Sequence, residues 1–363
     1  MNFDFCCPTK IYYRENGVSL IGNIIKEDYG FSKVYLVYGG HSLKVNKTYD
    51  KIVVSLKENN IDFKEYCGVD ANPDIEDVRK MVEEVKEYQP DLILACGGGS
   101  VIDASKSVAH GFYYDGDPLD FNKHLVKPLH ALPIATILTL VASGSEMSDS
   151  CVISDRKKNF KCGFNSVTNY PLFSLMDPVL TLSVPSYQLG AGFADMFCHS
   201  FERYFSFSHE IEPCDGFALS IMKDIVRTSK KVLENPNDLE ARRAMMICGT
   251  LAHNGMTNYG KSKVFIVHKA EHVLSGIYPS LTHGQGIALL MREFLEVNKM
   301  KLKEKILTFG NVVFSLKKPT LKSTIQALDD WISTLPISHT FDELPFKVKD
   351  EDLSKARKCL KIK

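Results

Sequence analysis

The chain has 363 residues, 44% hydrophobic and 24% charged, which places it among ordinary globular proteins with room for two domains with separate cores. Lys plus Arg and Asp plus Glu balance at 44 each, so neither nucleic acid nor an anionic membrane is expected as a partner. The opening MNFDFCCPTKIYYREN lacks a basic region and a long apolar core, and ten scattered cysteines form no CxxC pair; the expected setting is the cytoplasm, with reduced thiols.

Along the first half, short apolar runs alternate with amphipathic stretches. KVYLVY at 33–38 reads as a buried strand, TYDKIVVSLKEN at 48–59 as a helix capped by Thr48, and IDFKEY as a second strand. Asp74 is placed to start a helix in which Val78, Met81, Val82 and Val85 fall at helical spacing. DLILAC at 91–96 is the next strand and runs straight into GGGS. Strands separated by helices of this length predict an α/β domain: a doubly wound, Rossmann-like parallel sheet with right-handed crossovers. From residue 186 onward apolar residues recur at spacings of three and four and strands disappear. The expectation is a dinucleotide-binding α/β domain over 1–183 and an all-α, metal-binding domain over 186–363, with Pro178–Pro185 as linker and the chemistry in the cleft between them.

Three features carry chemistry. Gly97, Gly98 and Gly99 leave a strand without side chains that would hold off a ligand, and Ser100 opens a helix whose free N–H groups suit a pyrophosphate; a tight turn that merely needs glycine is the competing reading. The loop is neither GxGxxG nor a P-loop. Asp103, one turn on, is either a cofactor contact or a first-turn carboxylate favoured by the helix dipole. In TLVASGSE, the hydroxyls of Thr139, Ser143 and Ser145 suit phosphate or ribose, or a helix cap. Asp195 and His199 lie one helical turn apart, so their side chains share a face, and His268 and His283 can close a four-ligand metal shell. Cys198 points about 100° away from His199 and is not counted as a ligand.

GGGSVIDASK at 97–106, TLVASGSE at 139–146, DPVLTLSVP at 177–185, ADMFCHSFE at 194–202 and HKAEHVLSGIYPSLTHG at 268–284 stand in the order and spacing seen in the iron-containing alcohol dehydrogenases. The chain resembles that family from about residue 8 to about 295, with a poor match beyond residue 300; VYGGHSLK and the TLxA(T/S)GSE wording most resemble its NADPH-dependent butanol dehydrogenase and aldehyde reductase branch. Ser143 stands where the motif usually has Thr, a change that keeps the hydroxyl.

The resemblance implies a dehydroquinate synthase-like architecture. It implies metal ligands at Asp195, His199, His268 and His283, and a pyrophosphate loop at Gly97, Gly98, Gly99 and Ser100 with Asp103 near the nicotinamide end. It also implies cofactor-lining Thr139 and Ser145, a ribose-contacting Lys161, a catalytic His272 near the reacting carbonyl, Fe²⁺ (Zn²⁺ as the other candidate) and a homodimer. His110, His124, His130, His209 and His253 are read as structural or surface residues. No acid follows the strand in VYLVYGGHSLK; Gly39 and Gly40 leave space, Ser42 offers a hydroxyl and Lys44 a positive charge, so NADP(H) is expected over NAD(H). The expected activity is hydride transfer between NADP(H) and a primary alcohol or aldehyde such as butanol or butanal. Rival readings are an NAD-linked zinc glycerol dehydrogenase, a dehydroquinate synthase, and a catalytically silent nucleotide- or metal-binding regulator.

Overall fold

The computed structural model describes residues 2, 4–40, 42–206, 212–261 and 265–362, so His41 and His209 lie outside the described residues. The chain divides into two compact units, Cys6–Val141 with Ser145–Val184, and Pro185–Lys363 with Met1–Phe5 and Ala142–Gly144.

In the first unit the strands are β1 (Lys10–Tyr13), β2 (Lys33–Tyr38), β3 (Asp62–Cys67), β4 (Leu92–Gly97), β5 (Ile134–Leu138), β6 (Ser150–Asp155), β7 (Phe160–Asn165) and β8 (Phe173–Met176). Its helices are α1 (Ile21–Asn23), α2 (Ser42–Val45), α3 (Thr48–Glu58), α4 (Ile75–Tyr88), α5 (Gly99–Phe112) and α6 (Leu119–Asn122). Six strands form a parallel sheet in the order β1-β8-β5-β4-β2-β3, while β6 and β7 pair antiparallel as a separate hairpin. The near-continuous apolar runs of β2 and β4 are buried on both faces and take central places, whereas the half-polar β3 forms an edge. Chain order reverses between β2 and β4, the point in such a sheet where ligands bind beyond the carboxyl ends of the strands.

Asp74 caps α4 as the sequence predicts, accepting from the Glu76 N–H at 2.9 Å, and Val78, Met81, Val82 and Val85 are buried. Thr48 does not cap α3. It is already helical, Lys47 occupies the cap in the left-handed region, and the Asn46 side chain accepts the Thr48 N–H at 3.1 Å. The helix after β4 likewise begins one residue early, at Gly99 with Gly98 as its cap.

Lys106 on α5 is fully buried, and its ammonium donates to the carbonyls of Ser145, Ser148 and Ser150 and to the Ser145 hydroxyl at 2.7–3.0 Å. Burial lowers its pKa while nearby Asp103 opposes that shift, so the charge is held by a built cage of oxygens.

The second unit contains α7 (Ser186–Tyr204), α8 (Glu212–Glu234), α9 (Leu239–His253), α10 (Ile266–Ile277), α11 (His283–Asn298), α12 (Lys303–Val313), α13 (Leu321–Ser333) and α14 (Asp350–Cys359). Every residue of α7 from Leu189 onward is buried, which makes it the central helix. Phe197, Phe201 and Phe205 on one face pack against Phe294, Phe309 and Trp331. Among the described residues no helix is long and apolar enough to cross a membrane.

Lys106→Met strands four oxygen acceptors in the interior, and we expect a loss of about 3 kcal/mol from the stability of the first unit, read from its urea unfolding midpoint.

Candidate functional site

The carboxyl ends of β2 and β4 carry the two glycine turns. A Cβ on Gly97 would lie 2.5 Å from the Val101 side chain and one on Gly98 3.0 Å from Leu140, whereas one on Gly40 would meet nothing within 4 Å. The first-turn N–H groups of α5, at Gly99, Ser100 and Val101, have no partner within their own helix, so the end of β4 is a cradle with donors along its rim. The Thr139 N–H, just past β5, donates to the Gly97 carbonyl at 3.1 Å and ties the end of β5 to that of β4. Ser42 and Lys44 lie on α2, next to Gly39 and Gly40, and the Lys44 ammonium rests over the rings of Tyr49 at 4.8 Å and Tyr38 at 5.5 Å.

Asp103 and Ser145 are brought together. The Ser145 hydroxyl donates to Asp103 Oδ1 at 2.5 Å and the Val152 N–H donates to Oδ2 at 3.0 Å, so Asp103 braces α5 against the loop and the β6–β7 hairpin. Lys161 on β7 donates to Asn72 Oδ1 at 2.8 Å. Ser143 belongs with Ala142 and Gly144 to the helical unit. There Gly144 has φ +65° and a Cβ on it would lie 2.6 Å from His253, a close approach that demands glycine.

In the helical unit, α7 places Asp195 above His199, α10 brings His268 and the first residue of α11 is His283. The four side chains converge. Asp195 Oδ1 lies 3.6 Å from His199 Nδ1, 3.6 Å from His268 Nε2 and 3.8 Å from His283 Nε2, and the Nε2 atoms of His199 and His268 are 3.1 Å apart. Donors about 2.1 Å from a tetrahedrally held ion sit roughly 3.4 Å from one another; among the described residues Asp195, His199 and His268 bring possible ligand atoms within 4.8 Å of one another, and His283, which also groups with Glu271 and His272, reaches Asp195 at 3.8 Å. Asp195 Oδ1 and His199 Nδ1 are buried without a hydrogen-bond partner, as donor atoms reserved for an ion would be.

The electrostatics are divided. Burial, and then the neighbouring His253 and His268, hold the His199 imidazole well below its usual pKa and therefore neutral, the form that binds metal. Burial alone would lower His268 as well, yet hydrogen bonds and charge from Asp195 and Glu202 push it up to about 9.

Glu202 and Glu271 went unread in the sequence. The His268 Nδ1 contacts Glu202 Oε2 and the His283 Nδ1 contacts Glu271 Oε2, leaving each Nε2 toward Asp195. Each glutamate stands three residues after a candidate ligand, His199 or His268, and that one-turn spacing was the available signal. Cys198 lies 3.9 Å from Glu202 Oε2 and 4.0 Å from His268 Nδ1, on the glutamate side of that imidazole. His272 is half-buried, with its ring centroid 5.4 Å from that of His283.

Of the other histidines, His110 is held by the His130 carbonyl and Asn169, both at 2.9 Å, in a structural role. The Nε2 of His124 faces Cys162 Sγ at 3.9 Å. His253 lies closer to the centre than the sequence reading had it, edge-on to His199 with centroids 4.1 Å apart and its Nδ1 beside the Arg203 guanidinium at 3.4 Å.

Residues 8–178 match the family model described as iron-containing alcohol dehydrogenase, and residues 191–359 match its C-terminal model, Fe-containing alcohol dehydrogenase family. The second match corrects the expectation that likeness fades after residue 300. The chain is 42% identical over 320 residues to the NADH-dependent butanol dehydrogenase A of Clostridium acetobutylicum, covering 88% of this chain and 81% of that protein. It is 29% identical to the NADPH-dependent aldehyde reductase YqhD of Escherichia coli over 90% of this chain and 84% of that one. The crystal structure of NADH-dependent butanol dehydrogenase A from Thermotoga maritima superposes with a TM-score of 0.93 at 32% identity, covering 99% of this chain and 90% of that one.

The ligand geometry depends on a close helix contact. A Cβ on Gly284 would fall 1.9 Å from the Ala191 carbonyl oxygen of α7, so Gly284→Ala has to push the start of α11, with His283, away. We expect it to cost about 3 kcal/mol, whereas Gly216→Ala, on an exposed turn of α8 with nothing within 4 Å, stabilises by roughly 0.5–1 kcal/mol. Thermal unfolding of the two variants gives shifts of opposite sign.

Proposed function

This chain belongs to the iron-containing alcohol dehydrogenase family, and on that premise we propose that it is a metal-dependent oxidoreductase that transfers hydride between NADP(H) and primary alcohols or short aldehydes such as butanol and butanal. The observation that carries the reading is the convergence of Asp195, His199, His268 and His283 around one point, with two buried donor atoms unpartnered. Three imidazoles and one carboxylate suit Fe²⁺ or Zn²⁺, and the family favours iron. Such an ion supplies a Lewis acid that polarises a carbonyl oxygen, and the nicotinamide supplies the hydride.

The chain's own residues supply position and protons. Gly97, Gly98, Gly99 and Ser100 take the pyrophosphate against the α5 N-terminus, with Thr139, Asp103 and Ser145 bracing that edge and Lys161 assigned to the ribose. Half-buried His272, beside His283, has the exposure to pass a proton between solvent and an alkoxide oxygen. Buried aromatic residues of α7 keep water from the other side of the ligand set.

The preference for NADP(H) rests on local charge. The turn and short helix GGHSLKVNK contain no carboxylate to repel a 2′-phosphate, Gly40 leaves open space, and Lys44 and Ser42 offer a cation and a hydroxyl. Relatives carry names of both kinds, so the turn decides our reading. We further propose that the enzyme is cytoplasmic and homodimeric.

In a panel of short aldehydes, kcat/KM with NADPH should exceed that with NADH, and a higher value with NADH overturns the cofactor assignment. Lys44→Ala should narrow the ratio by about tenfold, equivalent to about 1.4 kcal/mol. Stripping the metal with a chelator should abolish turnover, with Fe²⁺ or Zn²⁺ restoring it; undiminished activity in fully stripped protein would end the metal mechanism.

A further inference from the structure

The three imidazoles of the site are not equivalent. His268 and His283 each lie between two carboxylates, with Asp195 toward Nε2 and a glutamate on Nδ1, whereas at His199 Asp195 lies toward Nδ1, 3.6 Å away. The glutamates are themselves seated. Glu271 is fully buried, and a Cβ on Gly286 would come within 2.8 Å of its Cγ, so the HGQG turn at the start of α11 uses one glycine to clear α7 and a second to make room for Glu271. Glu202 reaches from α7 to accept the N–H groups of Val267 at 2.5 Å and His268 at 3.2 Å, closing the first turn of α10, where Phe265 provides no side-chain cap.

Resting on the metal reading above, we propose that Glu271 and Glu202 are positioning residues that fix the tautomers of His283 and His268 with both Nε2 lone pairs on the ion. They also set the charge of the site. With Asp195 they place three carboxylates around one divalent cation and neutral imidazoles, a net charge of minus one that retains the ion. An imidazole whose Nδ1–H is held by a carboxylate is a more basic and better aimed ligand, and loss of such a partner typically weakens metal binding about 10–100-fold. Glu271 isolates the effect, because Glu202 also caps a helix.

The test uses the full chain stripped of metal and titrated with Co²⁺, followed by its visible ligand-field absorption and by competition with a chelator. The parent should bind one Co²⁺ per chain. Glu271→Gln should weaken binding about 10–100-fold and shift the absorption bands with the Tm of the metal-free protein within the range of the parent, and Glu271→Ala should bind more weakly still and also lower the metal-free Tm. Glu202→Gln should weaken binding and also lower the metal-free Tm. If the parent binds Co²⁺ and Glu271→Gln binds within twofold of it with an unchanged spectrum, the positioning role is overturned. If the parent itself binds none, the metal reading fails instead.

Discussion

Three carboxylates buried in one helical unit, Asp195, Glu202 and Glu271, are the constraint around which that unit is arranged. A buried charge persists only with a partner and a full set of hydrogen bonds. Each carboxylate is answered by an imidazole, and Glu202 by two backbone N–H groups as well. Asp195 Oδ1, 3.6–3.8 Å from all three imidazoles yet without a hydrogen bond, marks the centre of the cluster. The high pKa of His268 shows the same demand for positive charge from the protein's side.

Backbone proximity makes that arrangement possible. Helices α7, α10 and α11 bring ligands from distant parts of the chain, and the glycine at 284 lets α11 start against a carbonyl of α7. The first unit presents the opposite arrangement: a rim of N–H donors at the start of α5, beside a turn that its glycines leave without side chains. Lys106 and Asp103 brace it from behind, tying α5 to the loop at 145–150 so that the glycine turn is held by neighbours rather than by its own side chains.

Much of this was legible in the sequence. Strong periodicity gave the helix capped by Asp74, the buried runs gave β2 and β4, and the one-turn spacing of Asp195 and His199 pointed to a shared face that the helix provides. Strands β1, β5, β6, β7 and β8 were not assigned: β1, β6 and β7 mix polar with apolar residues, and β5 and β8 are not set off by long amphipathic helices as β2 and β4 are. The cap of α3 was misplaced because a side chain two residues upstream supplied the acceptor that Thr48 was expected to provide. Glu202 and Glu271 were missed for a different reason: a glutamate on a helix is ordinarily a solvated residue, and only the packing of three helices turns these two inward. His253 lies beside His199 through tertiary packing that no local spacing announces.

The place of β1 bears on how the polypeptide is made. Among the described residues Lys10–Tyr13 pairs with Phe173–Met176, about 160 residues downstream, and β8 in turn covers the flank of β5. The sheet therefore stays open along one border until nearly the whole first unit has been synthesised, and a nascent chain halted before β8 leaves one edge of the mostly apolar β5, IATIL, without a partner strand. Closing so long a loop is slow. The interval between the synthesis of β5 and that of β8 is thus the stage at which this protein most needs shelter from self-association.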